Sequence, residues 1–194
     1  MTADDPSTGD AGPTEWGANP EVGVGPWEGP WPNDERYDPE LLAEGDRRNV
    51  VDAYRYWRRE AIVADMDTRR HPFHVAIENW QHDHNIGTVV RTANAFAAAA
   101  VHIVGKRRWN RRGAMVTDRY QHLHHHPTVD GLVEFAAARA LPIVAVDNTP
   151  GAQPLETADV PRECVLLFGQ EGPGLSQAAQ DAASLGVAIA QFGT

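Results

Sequence analysis

The stretch Cys164-Val165-Leu166-Leu167-Phe168-Gly169-Gln170-Glu171-Gly172-Pro173-Gly174-Leu175-Ser176 runs from a continuous apolar segment into a glycine-dense turn that carries one carboxylate. A turn of this kind exposes backbone N–H groups and lets a ligand come close where there is no Cβ. Its glycines are spaced G-x-x-G-x-G, which is not the G-x-G-x-x-G of nicotinamide cofactors, and no Gly-Lys-Ser/Thr follows to make a Walker loop. Taken alone, it is as readily a plain tight turn as a cofactor site. A second stretch, Lys106-Arg107-Arg108-Trp109-Asn110-Arg111-Arg112, has five basic residues and an aromatic in seven positions. Cations neutralise phosphates and aromatic rings stack on unpaired bases. Lys106, Arg107, Arg108, Trp109, Arg111 and Arg112 are therefore candidate RNA-binding residues, with a solvated loop as the alternative. The third stretch, Gln121-His122-Leu123-His124-His125-His126-Pro127, offers four imidazoles. No cysteine or carboxylate accompanies them at metal-site spacing, and in a strand His124 and His126 would face away from His125. No metal is expected.

The elements that must carry these stretches alternate. Phe73 to Ile77 reads as a first core strand, followed by a polar loop from Glu78 to His84. A helix opens at Asn85, a possible N-cap, with Arg91 in its middle. Ala100–Val104 and Pro142–Val146 read as further strands, Thr128–Ala140 and Ser176–Ser184 as helices, and Gly186–Ala190 as a last strand. The run Cys164–Phe168 is short and apolar throughout, as in a strand buried on both faces. This alternation predicts an α/β fold, a mostly parallel sheet with helices on both faces. Ligands in such folds bind at the carboxyl ends of strands, where the glycine turn, the basic loop and the turn Asp147-Asn148-Thr149-Pro150-Gly151 all lie.

The N-terminal part differs in character. Residues 1–36 mix Pro, Gly, Asp and Glu with isolated tryptophans and read as an acidic, disordered tail, although Trp16, Trp27 and Trp31 invite docking on the body or on a second subunit. From Pro39 to about Asp65 the pattern is helical, with Asp38 as N-cap, so 37–70 is read as a helical extension. Its arginines Arg47, Arg48, Arg55, Arg58 and Arg59 fit a solvated face better than an RNA contact. The net charge of −10 is unevenly spread: residues 1–46 hold twelve acidic residues and one arginine, and the rest is near neutral. The total therefore does not exclude a polyanionic partner. There is no apolar run long enough to cross a membrane and no secretory signal, and the single cysteine, Cys164, cannot form an internal disulfide. A cytoplasmic protein is expected.

Three segments together resemble the signature motifs of the SpoU (TrmH-like) RNA ribose 2′-O-methyltransferases of the SPOUT superfamily. They are Asn85-Ile86-Gly87-Thr88-Val89-Val90-Arg91-Thr92-Ala93, Phe168-Gly169-Gln170-Glu171-Gly172-Pro173-Gly174-Leu175 and Val187-Ala188-Ile189-Ala190-Gln191-Phe192-Gly193. The resemblance spans residues 73–194 and implies a SPOUT-type sheet with a C-terminal trefoil knot, a homodimer, and S-adenosylmethionine as cofactor. It implies catalytic roles for Arg91, which would activate the ribose 2′-hydroxyl, for Asn85, which would hold the site, and for Glu171, which would position the arginine or the substrate. It also implies that Gly169, Gly174 and Ile189, with Asn148 and Thr149, line the cofactor pocket. A buried arginine and carboxylate at a cofactor turn favour the enzyme over a non-catalytic RNA-binding protein of the same fold, which is the alternative. The third motif departs from the family's Ile-Pro-Met, reading Ile189-Ala190-Gln191. The chain then stops where the family continues, so a domain at 71–194 truncated at its C-terminus, with an incomplete knot, is expected. The partner implied is rRNA or tRNA.

Overall fold

The computed structural model describes residues 23–81 and 85–191. The chain divides into two units, Met1–Tyr56 and Trp57–Thr194.

In the first unit, helix α1 (Pro39–Glu44) starts as its sequence predicts: the Asp38 carboxylate accepts from the Glu40 N–H and Pro39 takes the first helical position. The long helix expected from Pro39 to Asp65 does not continue. Gly45 adopts φ +94°, and a Cβ there would lie 2.6 Å from the Val24 carbonyl oxygen. Beyond it, the fully buried Asp46 carboxylate accepts from the Arg48 guanidinium at 2.9 and 2.7 Å and from the Tyr56 N–H at 2.9 Å. Those bonds hold a turn, because helical geometry cannot bring Tyr56 to Asp46. Residues 23–36, expected within the disordered tail, have fixed partners. Val24 pairs with Asp46 through two backbone bonds, and Trp27 meets Tyr37 and Tyr56 edge-on. Trp31 is exposed, and Trp16 lies outside the described residues.

The second unit opens with α2 (Arg59–Asp67) and then builds a seven-stranded, all-parallel sheet. The strands are β1 (His71–Asn79), β2 (Ala98–Gly105), β3 (Leu123–His126), β4 (Ile143–Val146), β5 (Gln153–Pro154), β6 (Val165–Phe168) and β7 (Leu185–Ala188), in the order β3-β2-β1-β6-β4-β7-β5. Helix α3 (Ile86–Ala95) covers one face, where Ile86, Val90 and Ala93 pack on Val75, Ile77, Val101 and Ile103. Helices α4 (Val129–Ala137) and α5 (Gln177–Ala182) cover the other, where Leu132, Ala136 and Ala179 meet Ala76, Val104, Ala145 and Leu167. The alternation of inward residues along β1 and β2 sends successive side chains to the two cores.

Strands β1 and β2 run longer than their apolar cores suggest. β1 was expected at 73–77 but reaches Asn79, because Glu78 and Asn79 pair with Val104 and Gly105 of β2. The short edge strand β5 was not foreseen. The histidine stretch is strand β3 at the other edge. His74, His102 and His126 are joined ring to ring at 3.0 and 2.9 Å, and His124 stacks on His102, while His125 on the opposite face bonds the Gly105 carbonyl. Phe135 of α4 lies 4.5 Å from the His102 ring, and the Arg139 guanidinium sits 3.8 Å above Phe135. This is a packed polar layer under a helix. Among the described residues no helix is long and apolar enough to cross a membrane.

Candidate active site

From β1 the chain winds outward to β2 and β3, then crosses to β4 and the far side of the sheet. The direction changes between β1 and β6, the kind of place where parallel sheets open a crevice at their carboxyl ends. A cleft does lie there, lined by Ile77, Glu78, Asn85, Ile86, Gly169, Gln170 and Glu171.

The glycine turn forms its far wall. Gln170 and Gly174 pair backbone to backbone, closing a tight loop. Gly169 lies so close under this loop that a Cβ would fall 2.2 Å from the Gly174 carbonyl carbon. Gly174 adopts φ +69°, and a Cβ there would sit 2.5 Å from the Asp147 carboxylate. That carboxylate accepts from the Leu175 N–H at 2.7 Å, tying the turn after β6 to the turn after β4. The spacing of the glycines thus records two backbone contacts that admit no side chain.

Two side chains tie the turn to the end of β1, Glu78 from the strand and Gln170 from the turn itself. Glu78 is 1% exposed, yet its carboxylate has three partners: the Ser176 N–H and hydroxyl, each at 2.7 Å, and the Trp80 indole N–H at 2.8 Å. The Gln170 side-chain oxygen accepts from the Trp80 and Gln81 N–H groups at 2.9 and 2.6 Å. Ser176 in turn caps α5 by accepting from the Ala179 N–H.

Asn85 and Glu171 meet across the cleft: the Asn85 amide donates to Glu171 Oε2 at 3.0 Å. This corrects the expectation that Asn85 caps α3. Its side chain makes no capping bond and its backbone is already helical. Arg91 lies six residues on, about 9 Å further along the helix axis. The expected burial of Arg91 and Glu171 is not found, since both are exposed. Arg91 has no hydrogen-bond or ion-pair partner among the described residues.

The remaining sequence-derived positions follow neighbouring strand ends and do not line this cleft. Asn148 and Thr149 follow β4, with the Asn148 N–H bonded to Asp147 Oδ1 at 2.7 Å and the Thr149 side chain half-buried. Ile189 follows β7 and is 60% exposed, next to the pairing of Leu155 N–H with the Ala188 carbonyl. The rest of the third motif, Phe192 and Gly193, lies outside the described residues. The basic loop leaves β2, two strands from β6 and so about 10 Å away across the sheet. Lys106, Arg107, Arg108, Arg111 and Arg112 are all exposed. Arg111 pairs with Asp118 at 3.1 Å. Trp109 is half-buried against the α3 core, with the Arg111 guanidinium 5.5 Å from its ring, so it anchors the loop as well as edging its surface.

Residues 72–194 match the family model described as the SpoU rRNA Methylase family. The chain belongs to this family. Among curated relatives it is 27% identical over 139 residues to the tRNA (guanosine(18)-2′-O)-methyltransferase of Escherichia coli K12. That alignment covers 70% of this chain and 61% of the relative, so the chain spans less than two thirds of the relative's length. Among solved structures, the A. aeolicus TrmH/SpoU tRNA modifying enzyme superposes with a TM-score of 0.60 at 22% identity, over 71% of this chain and 72% of that one. The SpoU methyltransferase AviRb from Streptomyces viridochromogenes, in complex with AdoMet, does so with a TM-score of 0.58 at 21% identity, over 67% and 55%. These two likenesses are of fold.

Sequence reasoning placed Glu78 and Asn79 in a polar loop and missed them as site residues. The available signal was a carboxylate and an amide directly following an apolar strand. Nothing local showed that the strand would carry them into the interior.

Proposed function

We propose that this protein transfers a methyl group from S-adenosylmethionine to a ribose 2′-hydroxyl of tRNA or rRNA. The observation that carries the reading is the Asn85–Glu171 bond across a cleft at the β1–β6 crevice, made by the residues that stand at the family's first two motif positions. Of the positions the family resemblance assigns to the cofactor, Gly169 lines the cleft with bare backbone, beside the Glu171 carboxylate that would face a positive ligand. Gly174, the Thr149 hydroxyl and the exposed Ile189 follow neighbouring strand ends, where they would extend the site. Bound there, the cofactor supplies an electrophilic methyl group on a good leaving group.

The protein's own part is alignment and charge. Methylation would form a bond from the 2′-oxygen to the methyl carbon as that carbon's bond to the sulfonium sulfur breaks, leaving a neutral thioether, while the hydroxyl loses its proton. Asn85 holds the Glu171 carboxylate at the cleft wall, which orients the bound ribose. A guanidinium stays protonated and is a poor general base. Arg91 therefore acts by stabilising the developing alkoxide, and a phosphate oxygen of the RNA or a water takes the proton. The exposed cations of Lys106–Arg112 bind phosphates of the substrate, and unpaired segments of RNA present the more accessible ribose. The tRNA methyltransferase of E. coli named above supports a tRNA substrate, and the family description supports rRNA. We further propose a cytoplasmic homodimer. Its interface is supported by the exposed Phe96 at the end of α3 and by Met115 and Val116, which lie between two 3-10 turns, Arg111–Ala114 and Thr117–Arg119, that pack on α3.

Titrating S-adenosylmethionine into the protein in a calorimeter tests the reading. The expected result is saturable binding with one site per chain. No binding would overturn it in favour of a non-catalytic RNA-binding protein, which the basic loop alone would also serve.

A further inference from the structure

The two polar residues that end β1 have separate tasks on opposite faces of the sheet. Glu78 points to the α4 and α5 side, where its buried carboxylate accepts from Ser176 twice and from Trp80 once. Those bonds fix the base of the glycine turn and the start of α5. Asn79 is equally buried, and its amide donates to the carbonyls of Lys106 and Arg108 at 2.6 and 3.0 Å. Its own carbonyl accepts from the Lys106 N–H at 2.8 Å. Gly105, at φ +108°, lets the chain turn there, since a Cβ would meet the Asn79 carbonyl oxygen at 2.7 Å and the Trp80 ring at 2.8 Å. The first half of the basic loop therefore takes its path from Asn79, through its side chain and its carbonyl, and from the turn at Gly105.

We propose that Glu78 and Asn79 are positioning residues that shape the two binding elements independently: Glu78 sets the cofactor turn, and Asn79 sets the phosphate-binding loop. The inference rests on the methyltransferase reading. Each bond set joins one strand end to one loop, with no bond from Glu78 to the basic loop and none from Asn79 to the glycine turn among the described residues. Buried polar groups with all their bonds made hold loops rigidly, and losing one partner leaves the others unsatisfied.

The test uses two variants of the full chain with two affinities measured for each: S-adenosylmethionine by calorimetry, and a tRNA transcript by fluorescence anisotropy over a series of salt concentrations. Glu78→Gln puts an amide donor against the Ser176 donors. It is expected to weaken cofactor binding about tenfold while tRNA affinity and its salt slope stay within about twofold of the parent. Asn79→Ala frees the Lys106 and Arg108 carbonyls. It is expected to weaken tRNA binding about tenfold and to flatten the salt slope by about one phosphate contact, with cofactor affinity within about twofold. A general loss of structure would not divide in this way. Parallel losses of both affinities in both variants, or no change in either, would overturn the inference. Should Glu78→Gln not fold, Ser176→Ala removes one bond from the same carboxylate, while Ser176→Gly serves as a second variant that also lacks it and costs the α5 cap less. Weakened cofactor binding alone would then support the inference, and unchanged cofactor binding would overturn it. If the parent protein binds neither ligand, the failure belongs to the methyltransferase reading and not to this division of labour.

Discussion

Replacing Arg91 with alanine is expected to slow methyl transfer to RNA by about 10²–10³-fold, the effect typical of removing one donor that stabilises a developing oxyanion. Cofactor affinity is expected to stay within about twofold. The thermal midpoint is expected not to move, because the Arg91 side chain is exposed and has no partner among the described residues. That lack of partners makes the experiment clean: the variant removes no internal ion pair and opens no cavity. The loss should fall on kcat more than on KM, since the alkoxide charge exists only in the transition state. Arg91→Lys keeps the positive charge but loses the planar fork, and is expected to recover only part of the rate. Single-turnover assays with saturating cofactor measure both variants. Near-normal turnover in Arg91→Ala would remove Arg91 from the mechanism. Near-normal turnover in Arg91→Lys would mean that a point charge suffices.

The second large effect is a loss of stability in mild acid. His102 is fully buried, bonded through both ring nitrogens to His74 and His126, and stacked on His124. Burial first, and then the neighbouring imidazoles and Arg139, push its pKa down to about 2. His74, His124 and His126 are lowered for the same reasons, burial being the largest in each. The folded state therefore holds these rings neutral while the unfolded chain protonates them near 6.5. The stability they contribute is fully present above that value and is lost as the pH falls below it. His102 alone accounts for about 2 kcal/mol between pH 7 and pH 5, and the other three rings add in the same direction. The carboxylates act in a lower window. Asp46 and Asp67 are held below the usual carboxylate range by their arginine and hydrogen-bond partners against the opposing effect of burial, so their contribution is lost only as the pH falls below about 4. Chemical denaturation at pH 7.5, 6 and 5 should show a steady fall in unfolding free energy. His102→Gln should flatten that slope. A parent protein equally stable at pH 7 and pH 5 would contradict this account of the histidine layer.

The architecture was readable because its signals are local. Short apolar runs such as Val165–Phe168 pair on both sides, and the helical pattern opening at Asn85 has the apolar spacing that packs on β1 and β2. The motif positions were readable too, since Gly169 and Gly174 mark places where backbone touches backbone or a carboxylate. Long-range satisfaction of polar groups was not. Glu78 resembles a loop carboxylate until Ser176, 98 positions away, supplies its hydrogen bonds. Asp46 looks like one more charge on a long amphipathic helix until Tyr56 and Arg48 close on it and the helix ends at Gly45. The histidine run was not read as a metal site, but nothing local showed that His74, His102 and His126, on three separate strands, would join in a hydrogen-bonded layer.

The position of the methyl group on the product decides the reaction. The protein is incubated with methyl-labelled S-adenosylmethionine and unmodified tRNA or rRNA transcripts, and the RNA is digested to nucleosides and read by mass spectrometry. A ribose 2′-O-methyltransferase places the label on a 2′-O-methylribose, and the label is expected to be lost in Arg91→Ala. Label on a base, or none from a protein that binds both the cofactor and the RNA, would contradict it.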